Sequence, residues 1–494
     1  MNLSELRKQL DRIDDALLPL LEERMKISEE VAAVKKTESL PLSDPKREEE
    51  ILSRIGEKAS EKDRDAVKEI YRTLFTLSKN KQKKILGEEG KIFGLLGHPL
   101  THSRSKEIHS SFGLSYALFD LAPEEVDAFL KEKKFDGINV TIPYKKTAMP
   151  YCDELSDGAK AVGCVNTVVR IGDRLVGDNT DLCGFRFLLD RNGIDCRGKK
   201  VLVLGSGASS GTVSRVLSER GAREIVVVSR TGKVNYENVT KERDAEIIVN
   251  TTPVGTFPHE REMPLDPSAF PMLEAAVDLI YQPLRTEFLL KAERSGIRTA
   301  CGLSMLVAQA AASLTDFTGR KVSLAEQEKL IANLKRNSEN LVLIGMPGCG
   351  KTTVGQKLAE KTGRPFFDLD RVIENAFGES PEKMIREKGE AYFREKEALA
   401  CQILRSARGC VIACGGGTVL NRENVDALKA NGRLILLSRS TEKLEKEGRP
   451  LSLDLKKLEN ERKEIYASSA DLTVSNEKND PEAVETILKE CCFS

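Results

Sequence analysis

Residues 341–363 read LVLIGMPGCGKTTVGQKLAEKTG, a short apolar run followed by a glycine-rich turn and a helical pattern. The turn has the spacing GxxxxGK[ST] of a phosphate-binding loop, set as expected between a buried strand and a helix. In such a loop the backbone N–H groups hold phosphates, the lysine neutralises the β- and γ-phosphates, and the threonine hydroxyl binds Mg²⁺. The stretch therefore predicts an α/β nucleotide-binding unit. Its predicted binding residues are Gly345, Gly348, Gly350, Lys351, Thr352 and Thr353.

A second pattern of strand, glycine turn and helix lies upstream, in KKVLVLGSGASSGTVSRVL at residues 199–217. Its glycines would let the chain turn tightly and bring a pyrophosphate against the helix N-terminus. They are Gly205, Gly207 and Gly211. The spacing GxGxxxG differs from the commoner GxGxxG, so a purely structural turn remains an alternative.

The next apolar run ends in Ser229, Arg230 and Thr231. NAD sites usually present an acidic residue at this point for the ribose diol, whereas a cation suits a 2′-phosphate. The sequence therefore favours NADP over NAD as the cofactor of this unit.

Length and composition limit the function classes. At roughly 150 residues per domain, 494 residues indicate about three domains. Lys and Arg total 77, as do Asp and Glu, which argues against a nucleic-acid-binding face. The N-terminal residues contain no apolar signal-peptide core and no stretch of about 18 apolar residues follows, which argues against secretion and membrane spanning. The 11 cysteines show no paired CxxC spacing, so we expect reduced thiols and a cytoplasmic protein.

Residues 1 to 86 carry a helical pattern in which Leu and Ile recur at spacings of three and four. Arg24 stands where this stripe calls for an aliphatic residue, and Lys35 projects from nearly the same helix face three turns later. A cation in an apolar seam needs an anion. The two cations could converge on one anionic ligand, or the helices could serve association alone, with Arg24 paired to a Glu.

Asp44, Arg47 and Glu48 follow the first helical pattern, and Ser78 and Gln82 lie four residues apart on a later helix. This pattern resembles the all-helical, AroQ-type chorismate mutases over essentially the whole unit. The resemblance implies a chorismate-binding pocket. Its residues would be Arg7, Arg24, Lys35, Asp44, Arg47, Glu48, Ser78 and Gln82.

The chemistry suits these residue types. Rearranging chorismate to prephenate needs only a pocket that holds the dianion in its reactive conformer and donates to the ether oxygen. The resemblance implies that Lys35 and Gln82 face that oxygen and that Arg7 reaches the pocket of a partner chain, which makes an intertwined homodimer. Pro19 is expected to bend the helix between Arg7 and Arg24.

Six short motifs surround the second glycine turn. They are HSRS at 102–105, NVTIPYKK at 139–146, GCVNT at 163–167, GDNTD at 177–181, DLIYQP at 278–283 and GLSMLVAQA at 302–310. Together they closely resemble shikimate dehydrogenase across residues 91 to about 333, which implies NADP(H) as cofactor. The implied shikimate-binding residues are Ser103, Ser105, Thr141, Asn166, Asp181, Tyr281 and Gln309. Lys145 and Asp181 would form the catalytic pair, because hydride transfer to a ketone needs a proton donor beside the carbonyl.

The residues after the phosphate-binding loop resemble shikimate kinase over the whole of 338–494. The motifs are FFDLD at 366–370, Phe393-Arg394 followed by Glu397, CGGGT at 414–418, GRPL at 448–451 and Arg462. The resemblance implies ATP and Mg²⁺, with Thr352 and Asp368 on the metal side and Asp370 orienting the acceptor hydroxyl. The shikimate-binding residues would be Arg394, Gly415, Gly416, Gly417 and Arg462.

Three details of this last unit carry expectations of their own. Glu397 would brace Arg394 from one turn away. The glycine triplet could be only a tight turn, yet its missing side chains also allow close approach of a ring. Arg449 would lie on a mobile lid and reach the transferring phosphate. That lid, STEKLEKEGRP at residues 440–450, is short and lacks the extra arginine that the family often places near the adenine.

The sequence thus predicts three domains. They are an all-α domain at 1–87, an α/β domain at 88–336 with a substrate part (about 91–183 plus C-terminal helices) and a Rossmann part (about 184–300), and an α/β P-loop kinase at 337–494. We expect a trifunctional enzyme that reduces 3-dehydroshikimate with NADPH, phosphorylates shikimate with ATP and rearranges chorismate to prephenate. We expect it to be a homodimer through its N-terminal helices. Two alternatives stay open: a helical unit that only dimerises, and a P-loop unit that only senses nucleotide.

Overall fold

The computed structural model describes residues 3–38, 44–86, 90–101, 103–440, 455–477, 480–491 and 493. The chain forms two compact units, Met1–Gly184 with Leu306–Leu330, and Phe185–Met305 with Ile331–Ser494. The first unit holds the N-terminal helices and a mixed sheet, and the second holds two parallel sheets. No helix within the described ranges is long and apolar enough to cross a membrane.

Three helices form the N-terminal segment: α1 (Leu3–Glu38), α2 (Pro45–Lys58) and α3 (Arg64–Leu86). α1 continues through Pro19 without interruption. Asp44 caps α2, because its side chain accepts a hydrogen bond from the Arg47 N–H at 3.1 Å, and Pro45 suits the first helical position. α3 packs against both other helices. Its Ser78 and Gln82 accept hydrogen bonds from Arg24 and Lys35 of α1.

The rest of the first unit is built on a six-stranded mixed sheet with the order β2-β1-β3-β5-β6-β4. Its strands are β1 (Phe93–Gly97), β2 (Ala117–Asp120), β3 (Gly137–Val140), β4 (Glu154–Leu155), β5 (Thr167–Ile171) and β6 (Arg174–Asp178). The accompanying helices are α4 (Ser105–Ser111), α5 (Pro123–Glu132), α6 (Asp157–Val162) and α7 (Asp181–Arg191).

The pairing of these strands brings several predicted residues to one edge. β1 and β3 run parallel, while β5 is antiparallel to both β3 and β6, so β1, β3 and β6 point the same way. The segments that leave the carboxyl ends of these three strands therefore meet at one edge of the sheet. These are the segments that contain Ser103, Lys145 and Asp181.

The second unit contains a five-stranded, fully parallel sheet with the order β11-β10-β9-β7-β8. Its strands are β7 (Lys200–Leu204), β8 (Glu224–Val228), β9 (Ile247–Asn250), β10 (Ala275–Asp278) and β11 (Arg298–Cys301). The helices that follow them in the chain are α8 (Ala208–Glu219), α9 (Glu287–Arg294), α10 (Leu303–Thr318) and α11 (Leu324–Ser338). β7, β9 and β10 are buried along their whole length, as expected for central strands covered on both faces.

The third sheet is also parallel, with the order β13-β14-β12-β15-β16. Its strands are β12 (Asn340–Ile344), β13 (Phe366–Asp368), β14 (Val411–Ala413), β15 (Gly432–Ser438) and β16 (Leu472–Ser475). Its helices are α12 (Lys351–Thr362), α13 (Leu369–Phe377), α14 (Pro381–Lys388), α15 (Glu390–Leu404), α16 (Arg422–Lys429), α17 (Leu455–Ser469) and α18 (Asp480–Glu490). Ligands bind parallel sheets of this kind outside the carboxyl ends of the strands, where the phosphate-binding loop and the glycine triplet lie.

The fold class predicted from the sequence is confirmed. The N-terminal segment is helical, the middle of the chain is α/β with a parallel nucleotide-binding type of sheet, and the C-terminal segment is a parallel α/β unit with a phosphate-binding loop.

Candidate active sites

Lys145 and Asp181 form an ion pair at the edge of the mixed sheet. The Lys145 ammonium donates to Asp181 Oδ2 at 2.5 Å, and the two side chains are 13% and 10% exposed. Asp181 opens α7 directly after β6, and the Lys145 carbonyl is anchored by the Val165 N–H at 3.0 Å. The two side chains are therefore held in direct contact and are largely withdrawn from water.

Asn166 and Thr141 lie at the same edge. Asn166 is 3% exposed, and its Oδ1 accepts from the Thr180 N–H at 2.7 Å, which fixes the segment just before Asp181. The Thr141 N–H donates to the Leu96 carbonyl at 2.9 Å. Ser103 and Ser105 are half-buried at the start of α4, where the Ser105 N–H donates to Ser103 Oγ at 3.3 Å.

The two remaining residues predicted for this site lie elsewhere in the chain. Gln309 is half-buried on α10, and its side-chain amide donates to the Leu306 carbonyl at 2.9 Å. Tyr281 is half-buried in the loop after β10, within the second unit.

Sequence reasoning missed a buried polar cluster beneath this edge. The Tyr116 hydroxyl donates to Asn139 Oδ1 at 2.6 Å, and the Asn139 amide donates to Thr167 Oγ1 at 3.1 Å. The His109 ring stacks on Tyr116 with centroids 4.1 Å apart, and burial lowers the pKa of His109 to about 3. Asn139 opens the NVTIPYKK motif, which was the available signal, but its partners come from distant segments.

The glycine turn after β7 has the geometry of a nucleotide cradle. Gly205 has φ of 106°, and a Cβ there would lie 2.8 Å from Thr251 Oγ1, so only glycine fits without strain. Gly207 caps α8, and Gly211 lies in its first turns. Ser229, Arg230 and Thr231 follow β8 directly, and Val228 pairs with Leu204, so Arg230 emerges beside this turn with its side chain exposed.

A cavity of about 380 Å³ opens at the carboxyl edge of the third sheet. It gathers most of the residues predicted for the P-loop unit. These are Gly348, Gly350, Lys351, Thr352, Thr353, Asp368, Asp370, Arg394, Gly415, Gly416, Gly417 and Arg462. Gly345, with φ of 141°, starts the loop, and Arg449 lies outside the described residues.

The nucleotide side of this cavity is organised around Lys351 and Thr352. The Lys351 ammonium is 8% exposed and donates to the carbonyls of Gly345 and Met346 at 2.9 and 3.0 Å. Thr352 Oγ1 donates to Asp368 Oδ2 at 2.9 Å. A hydroxyl and a carboxylate side by side are the oxygen donors that Mg²⁺ uses beside phosphates, so the residues present fit that ion.

Asp370 faces the cavity from the start of α13. Desolvation by the surrounding protein, aided by the charges of Asp368 and Glu397, raises the pKa of Asp370 to about 6. Solvent still reaches the carboxylate from the cavity. The group is thus ionised at neutral pH and takes up a proton more readily than an ordinary aspartate.

Arg394 is held from two sides. It donates to Glu397 Oε2 at 2.8 Å, which is the brace expected from the sequence, and its Nη2 donates to Glu390 Oε1 at 3.0 Å. Glu397 is 1% exposed in its side chain and also accepts from the Thr418 hydroxyl at 2.7 Å. A Cβ on Gly417 would collide with the Arg394 guanidinium, so the third glycine of the triplet makes room for that side chain.

Arg462 and Arg439 complete the cavity. Arg462 donates to the Gly416 carbonyl at 2.9 Å. Arg439, which sequence reasoning missed, directly follows β15 and lines the cavity, and its Nε is buried with no hydrogen-bond partner among the described residues. Its position at the end of a strand was visible in the sequence, but no motif distinguished it.

The helical segment brings together four predicted residues between α1 and α3. Arg24 donates to Ser78 Oγ at 2.8 Å, and the Lys35 ammonium donates to Gln82 Oε1 at 3.2 Å. Burial lowers the pKa of Lys35, while the carboxylates of Asp44 and Glu48 oppose that shift. Two cationic side chains, Arg24 and Lys35, thus lie between α1 and α3, each bonded to a polar residue of α3.

The other predicted residues of this segment take no part in these two hydrogen bonds. Glu48 pairs with Lys79 at 3.1 Å, a partner that the sequence analysis missed. Arg47 is exposed and pairs with Glu50 at 3.3 Å. Arg7 is exposed on α1, seventeen residues before Arg24, which is about 25 Å along the helix axis. Arg7 therefore does not join the pocket of its own chain.

The middle of the chain combines a parallel sheet that carries a nucleotide-binding glycine turn with a lysine–carboxylate pair. These two features define it as a nucleotide-dependent oxidoreductase. Family models match three segments of the chain. They are chorismate mutase type II at residues 6–83, the shikimate dehydrogenase substrate binding domain at 95–168, and shikimate kinase at 347–492.

Two relatives match a little under half of this chain. The shikimate dehydrogenase (NADP(+)) of Caldanaerobacter subterraneus is 37% identical over 257 residues, which cover 46% of this chain and 92% of the relative. That of Methanopyrus kandleri is 36% identical over 267 residues, 47% of this chain and 92% of the relative. A chorismate mutase/shikimate 5-dehydrogenase fusion protein from Clostridium acetobutylicum aligns with 34% identity and a TM-score of 0.48, over 50% of this chain and 98% of that one.

The chain belongs to the shikimate dehydrogenase family. The segments on either side of the dehydrogenase match the family models of chorismate mutase type II, before it, and of shikimate kinase, after it.

Proposed function

We propose that the chain reduces 3-dehydroshikimate to shikimate with NADPH, phosphorylates shikimate to shikimate 3-phosphate with ATP, and rearranges chorismate to prephenate. The observation that carries the proposal is the Lys145–Asp181 pair at 2.5 Å, because it supplies the proton donor that ketone reduction needs. The three family matches support the same assignment.

In the reduction, the hydride comes from NADPH. The glycine turn at Gly205 accommodates the pyrophosphate, and Arg230, exposed beside it, pairs with the 2′-phosphate. Lys145 donates its proton to the oxygen that gains charge during hydride transfer, and Asp181 keeps the ammonium in position. Thr141 and Asn166, at the same sheet edge, bind substrate hydroxyls.

In the phosphorylation, Lys351 neutralises the phosphates, and Thr352 with Asp368 would hold Mg²⁺, which supplies charge neutralisation when bound. Asp370 orients the acceptor hydroxyl and takes up its proton, a task that suits a carboxylate with a pKa raised to about 6. Arg394 and Arg462 hold the carboxylate of shikimate.

In the rearrangement, the cations between α1 and α3 bind the carboxylates of chorismate. Arg24 is oriented by Ser78, and Lys35 with Gln82 donates to the ether oxygen as it gains charge. No nucleophile is needed, which agrees with the residue types that line this pocket.

We also propose that the chain is a homodimer through α1. The first half of this helix exposes an apolar stripe in which Leu10, Ile13 and Leu20 are 59%, 61% and 62% exposed. An exposed apolar stripe of this length on a helix indicates that another protein surface packs against it. A second copy would cover it and would place an exposed Arg7 near the pocket of its partner.

Three assays on the intact protein test the proposal. They follow NADPH oxidation with 3-dehydroshikimate, ADP formation with shikimate and ATP, and the loss of chorismate absorbance. We expect all three activities, with the mutase activity abolished in Arg24→Ala and the other two retained. A helical segment that leaves chorismate unchanged would be a dimerisation module, and a P-loop segment that binds ATP without phosphorylating shikimate would be a nucleotide sensor.

A further inference from the structure

Within the second unit, the contacts between the kinase segment and the dehydrogenase segment include a loop of the dehydrogenase segment. This loop, Leu279–Arg285, connects β10 to α9 and leaves the sheet at its carboxyl edge, the same edge as the Gly205 turn. Its two ends are tied within the dehydrogenase to Asp278, which is fully buried. Asp278 accepts from the Ile280 N–H at 3.0 Å and from the Thr286 hydroxyl at 2.7 Å.

The last two residues of the loop are bonded to the kinase segment. The Leu284 N–H donates to Asn431 Oδ1 at 3.1 Å, and the Arg285 N–H donates to the Ala430 carbonyl at 2.9 Å. The Arg285 guanidinium reaches the Gly432 carbonyl at 3.3 Å. Asn431 is 2% exposed, and its amide also donates to the Arg405 carbonyl at 3.0 Å, so its orientation is fixed from the kinase side.

A second set of contacts holds the start of α9. Arg405 of the kinase segment is 3% exposed, and its Nη2 lies 2.8 Å from Glu287 Oε1 and donates to the Glu260 carbonyl at 3.0 Å. Glu260 is itself buried, and its carboxylate accepts from the Ser406 hydroxyl at 2.9 Å. Arg405 is the buried member of this ion pair, while the Glu287 side chain is 22% exposed. Removing Glu287 would leave a buried charge without its partner, so the pair fixes the position of the start of α9.

The braced loop is connected to the cofactor turn by a short chain of hydrogen bonds. Asp278 Oδ1 accepts from the Asn250 amide at 3.1 Å, and Asn250 is followed by Thr251. Thr251 Oγ1 donates to the Leu204 carbonyl at 2.6 Å and lies where a Cβ on Gly205 would collide. The loop held by the kinase segment and the turn that would receive the cofactor therefore share one hydrogen-bonded edge.

We propose that the kinase segment supports cofactor binding by the dehydrogenase. Asn431 and Arg405 are positioning residues that hold residues 279–287 in place. Through Asp278 and Asn250 they also fix the cofactor-binding edge of the sheet. The inference rests on the proposed function, because it takes the Gly205 turn as the NADPH site. It goes further in assigning to residues of one enzyme a role in the other.

The test uses the full chain and the variants Asn431→Ala and Arg285→Ala. Asn431→Ala removes the acceptor of the Leu284 N–H, and Arg285→Ala removes the guanidinium that reaches the Gly432 carbonyl, so each variant breaks a different bond of the same contact. The matched control is Asn421→Ala in the kinase segment. Asn421 Oδ1 also accepts a hydrogen bond from a backbone N–H, but the donor is Glu423, at 2.9 Å, and not a residue of this loop. The measurements are the dissociation constant of NADPH by its fluorescence, the hydrogen exchange of residues 279–287, and the two rates with shikimate.

We expect faster exchange in residues 279–287 and a loss of NADPH affinity of about threefold to tenfold in both variants, the size of one lost hydrogen bond. Kinase activity should stay within about twofold, and Asn421→Ala should bind NADPH like the unaltered chain. Wild-type exchange and affinity in both variants would overturn the proposal. Faster exchange with unchanged affinity would overturn it as well, because the contact would then only join the segments. An unaltered chain that binds no NADPH would refute the proposed function instead, and the exchange rates alone would then show whether the kinase segment braces this loop.

Discussion

Replacing Glu397 by glutamine should weaken shikimate binding by the kinase segment. The carboxylate of Glu397 is 1% exposed and lies 2.8 Å from the Arg394 guanidinium. Glutamine keeps the shape and can still accept from the Thr418 hydroxyl, but it removes the charge that orients Arg394. The change acts on Arg394, which would hold the shikimate carboxylate, and it also removes one of the charges that raise the pKa of Asp370.

The size of this effect follows from the kind of bond that is lost. Hydrogen bonds to charged groups contribute about 1.5–3 kcal/mol and neutral ones about 0.5–1.5 kcal/mol, so the change costs about 1–2 kcal/mol. That corresponds to a decrease of roughly 5- to 30-fold in kcat/KM for shikimate. Most of it should appear in KM for shikimate, with KM for ATP unchanged.

A matched control lies one turn before Arg394 on the same helix. Glu390 pairs with Arg394 at 3.0 Å, but its carboxylate is 51% exposed. Glu390→Gln should therefore cost no more than about 1 kcal/mol, or less than about fivefold in kcat/KM. Steady-state kinetics with shikimate and ATP as varied substrates measure both variants. Equal losses in the two variants, or equal changes for ATP and shikimate, would refute this reasoning.

Three further predictions concern the cofactor, the pH profile and the oligomer. Arg230→Ala should raise KM for NADPH by about 10- to 100-fold more than KM for NADH, the loss of a charge-assisted phosphate contact; equal effects on both cofactors would exclude Arg230 from phosphate recognition. The kinase kcat/KM should fall as pH drops through about 6, because the raised pKa of Asp370 lets it take up a proton there and lose its ability to accept one; a flat profile from pH 5 to pH 8 would contradict that role. Deleting residues 1–86 should leave the dehydrogenase and kinase activities and shift sedimentation towards the monomer, whereas a tight dimer of the truncated chain would place the interface outside α1–α3.

Most of the predictions from the sequence rest on short, contiguous motifs. The phosphate-binding loop is contiguous, so its spacing alone located Lys351 and Thr352. Lys145 and Asp181 are 36 residues apart, and only their motifs identified them. Their meeting follows from the order of β3, β5 and β6, which the sequence does not reveal residue by residue.

Contacts between distant segments could not be predicted in the same way. Asn431 and Leu284 are 147 residues apart, and neither belongs to a motif. Arg439 depends on where β15 ends relative to the cavity, and the second brace of Arg394 by Glu390 depends on how α15 begins. The segment 441–454, which contains Arg449, lies outside the described residues, so the role of the lid stays a prediction.

The central claim is that Lys145, held by Asp181, donates the proton during ketone reduction. It is tested most directly by the kcat of Lys145→Ala for NADPH-dependent reduction of 3-dehydroshikimate in the full chain. General acid catalysis contributes about 10²- to 10⁴-fold, so we predict a loss of that order, with KM for NADPH within about twofold and the kinase and mutase rates unchanged. A variant that keeps the kcat of the unaltered chain would contradict the account.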